Sequence, residues 1–103
     1  MPETRGIGVD LCAVSRMARA IEKAHFFTRV FTENERAYLQ GRGRAVGQSA
    51  AAMFAAKEAV AKALGTGFAQ GVMPWQIEVT HEQSGKPGVL LTGAAQEKFE
   101  QIG

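Results

Sequence analysis

Three residues of this sequence have side chains that could do chemistry together: Asp10, Glu58 and Lys62. Glu58 and Lys62 are four residues apart in a predicted helix, so they lie one turn apart on the same side of it. Asp10 is the only aspartate of the chain, and it lies within an apolar strand pattern, where a carboxylate is unfavourable. Two carboxylates that face one cavity suit a hard cation such as Mg²⁺, and a nearby lysine can bind phosphate. We therefore predict that Asp10 and Glu58 hold Mg²⁺ beside a phosphate-containing substrate.

Taken alone, Glu58 and Lys62 would be interpreted as an ordinary ion pair between neighbouring turns of a helix. A glycine-rich segment follows the same helix and could hold phosphate through its backbone N–H groups. It consists of Gly65, Thr66 and Gly67. The segment lies at the carboxyl end of the helix, where the dipole does not favour an anion, so a helix cap is the simpler interpretation. The lone aspartate has no comparable structural explanation, and it favours the functional interpretation of the whole set.

The elements that must position these residues are those of an α+β domain. Alternating apolar residues predict strands, and apolar residues three and four positions apart predict helices. Thr32 and Glu35 fit a capping box, in which each side chain accepts a hydrogen bond from the backbone N–H of the other residue. We expect a small antiparallel sheet with helices packed on one face. The predicted order is a strand, three helices, two strands that form a hairpin and a last helix, at residues 5–12, 13–21, 32–39, 48–64, 75–80, 89–91 and 95–102.

Length and composition limit the class of protein. The chain has 103 residues, of which 46% are apolar and 21% are charged, so we expect one folded domain over residues 1–103. No run of about 18 apolar residues is present, which excludes a membrane-spanning helix. Cys12 is the only cysteine, which excludes an internal disulfide. The first residues lack the pattern of a secretory signal, so we expect a cytoplasmic protein that does not bind a membrane.

Basic residues are concentrated in the first part of the chain. Residues 1–62 include ten basic and six acidic residues, whereas residues 63–103 include two and four. Arg16, Arg19 and Lys23 lie opposite the apolar stripe of a predicted helix. We interpret them as a solvated helix surface or as a docking strip for an acidic partner. The chain lacks the interleaved aromatic residues that are typical of nucleic-acid-binding proteins, so we expect no nucleic acid partner.

The sequence closely resembles the holo-acyl-carrier-protein synthases, the small single-domain class of 4′-phosphopantetheinyl transferases. The resemblance extends across nearly the whole chain, and its longest block contains Lys57-Glu58-Ala59 and ends in Gly65-Thr66-Gly67. The four blocks that match in order are residues 6–11 followed by Arg16, residues 29–35, residues 54–67, and residues 77–79 with 85–87.

The resemblance implies a reaction in fatty acid biosynthesis. The phosphopantetheine arm of coenzyme A passes to a serine hydroxyl of an apo acyl carrier protein, and adenosine 3′,5′-bisphosphate is released. Asp10 and Glu58 would hold Mg²⁺ on the pyrophosphate, and Lys62 would contact phosphate or help with the proton. Either Glu58 or a metal-bound water would deprotonate the serine.

The resemblance also implies two binding surfaces and an assembly. Arg16, with Arg19 and Lys23, would face the acidic carrier protein. Arg42 or Arg44 would reach the 3′-phosphate of coenzyme A. The other residues that would line the coenzyme A site are Lys62, Gly65, Thr66, Gly67, Lys86 and Pro87. Members of this class commonly form trimers with active sites between subunits, so we expect a homotrimer.

Two features depart from the resemblance. Met53 stands where members of the class often have a basic residue. Members also continue beyond the helix that ends near Gly103 into further strands, so we expect a truncated domain without the C-terminal strands of the family fold. The alternative hypothesis is therefore a non-catalytic module that binds coenzyme A or an acidic carrier protein.

Overall fold

The structure is a computed structural model that describes residues 11–102. Within this range the chain forms five α-helices and one two-stranded antiparallel sheet. In chain order the elements are α1 (Leu11–Ala20), α2 (Ala24–Val30), α3 (Glu33–Gln40), α4 (Val46–Ala63), β1 (Ile77–His81), β2 (Pro87–Leu91) and α5 (Gly93–Ile102). This arrangement confirms the predicted α+β class.

Helix α4 is the longest element and the framework of the candidate site. It has 18 residues, many of them alanine, which has the highest intrinsic helix propensity. Helix α1 crosses it closely at Gly47, where an added Cβ would lie 3.0 Å from the Ala18 Cβ and 3.3 Å from the Val14 carbonyl oxygen. Gly47 therefore permits the close approach of the two helices.

Strands β1 and β2 form the predicted hairpin. Ile77 pairs with Leu91 at one end, and His81 pairs with Pro87 at the end next to the turn. Gly85 has a φ of 91°, a left-handed conformation that glycine adopts at little cost, and this closes the turn. Helices α3 and α4 both contact β1, so the hairpin is fixed to the helices mainly through its first strand.

The core consists of two apolar clusters along α4. Its Met53 belongs to one cluster, and its Ala61, two turns later, belongs to the other. The buried members of the first cluster are Val30, Phe31, Leu39, Ala50, Met53 and Val79. Those of the second are Ala61, Leu64, Val72, Ile77 and Ala95.

Two sequence predictions about helices and strands were wrong. The predicted strand over residues 5–12 ends in α1, since Leu11 and Cys12 are helical; residues 5–10 lie outside the described residues. Helix α2 was not predicted at all. It has only seven residues, and its N-cap residue Lys23 forms no side-chain capping bond, so no local signal marks its start. Packing of α2 residues in the core supplies the stability that propensity does not.

Exposed apolar side chains include Trp75, Phe99 and Ile102. Trp75 lies in a single 3₁₀ turn, Pro74–Gln76, and is 45% exposed, because the strand begins only at Ile77. Helix α5 packs through Ala95, while Phe99 and Ile102 are more than half exposed. These last two side chains and β2 line an apolar groove of about 610 Å³. No helix within residues 11–102 is long and apolar enough to cross a membrane.

Candidate functional site

Glu58 and Lys62 lie on the solvent-facing side of α4. Both residues are exposed, whereas Lys57 and Ala61, the residues preceding them, are fully buried. Within the described part of the chain, no hydrogen bond or ion pair joins Glu58 to Lys62. The predicted ion pair between neighbouring turns is therefore not formed, and the carboxylate and the ammonium group both face solvent.

The Glu58 carboxylate suits one position around Mg²⁺. Mg²⁺ prefers oxygen ligands and usually takes only one or two protein carboxylates, with water and substrate phosphate in the other positions. Across residues 11–102, no three His, Cys, Asp or Glu side chains are grouped so that they could hold a metal. Asp10 lies outside the described residues, so its approach to Glu58 stays a prediction. The exposed Glu58 carboxylate therefore fits a Mg²⁺ site in which water and substrate phosphate would fill further ligand positions.

The segment after α4 forms a Schellman cap rather than a free phosphate cradle. The backbone N–H of Gly65 donates to the Lys62 carbonyl at 2.9 Å, and those of Thr66 and Gly67 donate to the Ala61 carbonyl at 3.3 and 3.0 Å. Gly65 has a φ of 86°, as this cap requires. These N–H groups satisfy helix carbonyls, which confirms the helix-cap interpretation, and phosphate binding by this segment stays a prediction.

The turn end of the hairpin lies beside the basic loop. His81, opposite Pro87 in the sheet, stacks on Tyr38 with ring centroids 4.0 Å apart. Arg42 lies over the same Tyr38 ring, 5.4 Å from its centroid, and donates to Ser49 Oγ at 3.1 Å. Arg42 thus contacts Tyr38 and Ser49, two of the residues that line a cavity of about 340 Å³ together with Met53, Val79, His81 and Pro87.

Sequence reasoning missed part of this region. Tyr38 and His81 were not singled out, although His81 is half-buried against Tyr38. Their stacking joins residues 43 positions apart and leaves no local sequence signal. Arg44 and Lys86 are exposed, as expected of phosphate-binding candidates.

The predicted docking strip is only partly on one helix. Arg16 and Arg19 are exposed on α1 and, with Cys12 and Ser15, line a shallow cleft of about 350 Å³. Lys23 is exposed too, but α1 ends at Ala20, so Lys23 lies in the connection to α2. The basic surface therefore centres on the two arginines of α1.

A buried ion pair lies directly behind the exposed face of α4. Lys57 Nζ donates to Glu35 Oε1 at 2.7 Å, to the Ile77 carbonyl at 2.7 Å and to the Pro74 carbonyl at 2.9 Å. Both charged side chains are 0% exposed. Burial lowers the pKa of Lys57 from its ordinary value, while the hydrogen bond and negative charge of Glu35 oppose the shift.

Glu35 completes this network from the first turn of α3. Its Oε1 also accepts from the Thr32 N–H at 2.9 Å, which confirms the predicted capping box, and its Oε2 accepts from the Val79 N–H at 2.6 Å. The charge of Lys57 does not reach solvent, although a lysine beside an apolar helix stripe commonly extends its charge there. The side chain instead ends on a carboxylate and two carbonyls inside the protein.

Comparison with known proteins gives the family. A family model described as the 4′-phosphopantetheinyl transferase superfamily matches residues 6–102. The chain belongs to this superfamily. The matched residues include every candidate site residue from Asp10 to Pro87. They therefore include the exposed face of α4, the hairpin and α1.

Relatives of the chain have one name in common. The holo-[acyl-carrier-protein] synthase of Gluconobacter oxydans is 47% identical over 100 residues, covering 94% of this chain and 64% of that protein. The protein of the same name from Methylobacterium nodulans is 50% identical over 99 residues, covering 94% and 74%. This superfamily member thus spans between 64% and 74% of the length of these two relatives.

Solved structures of the superfamily have the same fold. The holo-[acyl-carrier-protein] synthase of Neisseria meningitidis superposes with a TM-score of 0.70 at 33% identity, over 87% of this chain and 72% of that one. The acyl carrier protein synthase of Plasmodium yoelii, solved with ADP bound, gives a TM-score of 0.68 at 28% identity over 88% and 71%. The α+β fold of this chain is therefore the fold of the superfamily.

Proposed function

We propose that this chain is a holo-[acyl-carrier-protein] synthase that acts in fatty acid biosynthesis. It transfers 4′-phosphopantetheine from coenzyme A to a serine hydroxyl of apo acyl carrier protein and releases adenosine 3′,5′-bisphosphate. The observation that carries this proposal is the 47–50% identity to relatives of that name over 94% of the chain. The exposed Glu58 and Lys62 on α4 support it, because transfer of a phosphate-linked group from a pyrophosphate to a hydroxyl needs charge neutralisation at a solvent-accessible surface.

The reacting groups are assigned to α4 and to Asp10. The serine hydroxyl gives its proton to Glu58 or to a water molecule, and its oxygen bonds to the phosphorus that carries pantetheine. The bond from that phosphorus to the bridging oxygen of the leaving nucleotide breaks. Asp10 and Glu58 hold Mg²⁺, which when bound neutralises charge on the pyrophosphate. Lys62, one turn from Glu58 and also exposed, binds a phosphate oxygen as a compact positive charge.

The remaining coenzyme A contacts are assigned to the hairpin and the basic loop. Lys86 and Pro87 contact the nucleotide, and Arg42 or Arg44 reaches the 3′-phosphate. The stack of Arg42, Tyr38 and His81 supports this assignment, because it holds a guanidinium group beside the turn end of the hairpin. The last segment of the site is Gly65, Thr66 and Gly67, in which the two glycines have a left-handed backbone and the N–H groups donate to helix carbonyls.

The protein is proposed to act as a cytoplasmic homotrimer that binds neither nucleic acid nor membrane. A two-stranded sheet is marginally stable by itself, so further burial of the hairpin would stabilise it. The apolar side chains that subunit contact could cover are Val89, Leu90, Phe99 and Ile102, which are 48–57% exposed. An exposed apolar surface of this kind is typical of interaction sites.

One assay tests the proposed reaction. The purified chain is incubated with coenzyme A, Mg²⁺ and an apo acyl carrier protein, and the intact mass of the carrier is measured. We expect an increase by one phosphopantetheine that disappears when a chelator removes Mg²⁺. Coenzyme A binding by calorimetry without any mass increase, from a chain folded by circular dichroism, would instead support the non-catalytic module.

Reversing the charge on α1 is expected to weaken recognition of the acidic carrier. In the double variant Arg16→Glu/Arg19→Glu, the KM for carrier should rise about tenfold or more at low salt, because charge complementarity at an exposed surface promotes association. The KM for coenzyme A should stay the same. The matched control Arg29→Glu/Lys98→Glu makes the same change in net charge away from α1. Equal effects of the two double variants would contradict a docking role.

A further inference from the structure

The buried pair Glu35–Lys57 occupies the edge of β1 that faces away from β2. Successive residues of a strand direct their backbone groups to opposite edges. The Gln76 carbonyl accepts from the Thr92 N–H on the β2 side, so the backbone groups of Ile77 and Val79 face the other way. The Ile77 carbonyl accepts from Lys57, and the Val79 N–H donates to Glu35, so two side chains take the place of a neighbouring strand.

The hydrogen bonds of Glu35 and Lys57 connect parts of the chain that belong to different apolar clusters. Lys57 lies one turn from Met53 in the first cluster and one turn from Ala61 in the second. Ile77 and Val79 likewise belong to different clusters. The pair therefore fixes β1 against α4 at the boundary between the two clusters, where apolar packing is interrupted.

The position of β1 determines the position of the hairpin turn. Val79, which donates to Glu35, is two residues before His81, and His81 lies opposite Pro87. On α4, Lys57 is next to Glu58 and five residues before Lys62. One buried network therefore connects the helical part of the proposed coenzyme A site with the hairpin part.

We propose that Glu35 and Lys57 are positioning residues for coenzyme A, which hold Lys86 and Pro87 in register with Lys62. The inference rests on the proposed function, because it assigns these three residues to one ligand. Neither Glu35 nor Lys57 touches the substrate, since both side chains are 0% exposed. Their effect is transmitted through the backbone of β1.

The test uses a double variant that removes both charges, Glu35→Gln/Lys57→Met. No buried charge is left without a partner, so we expect this variant to fold. The KM for coenzyme A should rise about tenfold or more, because small displacements of binding groups are costly. The kcat and the KM for carrier protein should change less than about twofold. The carrier is assigned to α1, which this network does not connect to the hairpin edge. The matched control is Glu97→Gln/Lys98→Met on α5, which removes one acidic and one basic charge and should change neither KM.

The outcomes separate this inference from the proposed function. A folded double variant with an unchanged KM for coenzyme A, or with both KM values raised equally, would overturn the positioning role. If the unaltered chain transfers nothing, the proposed function fails, and the amide chemical shifts of residues 81–86 replace the kinetic readout. Identical shifts in the unaltered chain and the double variant would then overturn the inference, whereas changes centred on this segment support it.

Discussion

Replacing Glu58 with alanine is expected to reduce phosphopantetheine transfer by about 10³-fold or more while leaving the protein folded. Charge stabilisation by a bound cation is worth several kcal/mol, and each ~1.4 kcal/mol changes a rate tenfold. Glu58 is exposed, and alanine has a high helix propensity, so the free energy of unfolding should change little. Intact-mass measurement of the carrier over time gives the rate, and a thermal melt monitored by circular dichroism gives the stability.

Two further variants make this result specific. Glu97→Ala removes an exposed carboxylate from α5 and should leave the rate unchanged. Asp10→Ala should reduce the rate about as much as Glu58→Ala, because both carboxylates are assigned to one Mg²⁺. Full activity in both site variants would rule out this metal site, even if the chain transfers phosphopantetheine.

The helices and the hairpin were predictable where a local pattern carries the information. The Thr32–Glu35 spacing encodes the start of α3, and a turn of polar residues and glycine encodes the hairpin. Helix α4 was found because a long alanine-rich segment needs no tertiary support to be recognised as helical. The short helix α2 lacks each of these signals, since its stability depends on what its phenylalanines contact.

The exposed residues of the candidate site were predictable from the sequence, but the buried residues that hold them in place were not. The spacing of Glu58 and Lys62 indicated one exposed helix face, which the structure confirms. The burial of Lys57 was not predictable from periodicity, because its partner Glu35 is 22 residues away and is already explained by its capping bond. One carboxylate thus has a local role and a distant one, and a sequence pattern indicates only the local role.

Replacing Glu35 with alanine is expected to have the largest effect on stability of any single change considered, about 3–5 kcal/mol in the free energy of unfolding. It removes the capping bond to Thr32, leaves the buried Val79 N–H without its acceptor and leaves Lys57 without its counter-ion. Urea unfolding, followed by circular dichroism, measures the difference. The total free energy of unfolding of a small domain is only about 5–15 kcal/mol. An osmolyte that is excluded from the protein surface is therefore added to all samples, because it stabilises the folded state and keeps the folded baseline measurable.

The matched control lies two residues earlier in the same helical turn. Glu33 is exposed, and its carboxylate, like that of Glu35, interacts favourably with the positive end of the α3 dipole. Glu33→Ala should therefore cost less than about 1 kcal/mol in the free energy of unfolding. The difference between the two alanine variants therefore isolates the buried network from the helix dipole. Adding Lys57→Met to Glu35→Ala should cost less than the sum of the separate changes, because the second change removes a charge that the first leaves unpaired. Equal costs for Glu33→Ala and Glu35→Ala would mean that the buried pair adds nothing to stability, and additive costs would mean that its two members do not interact.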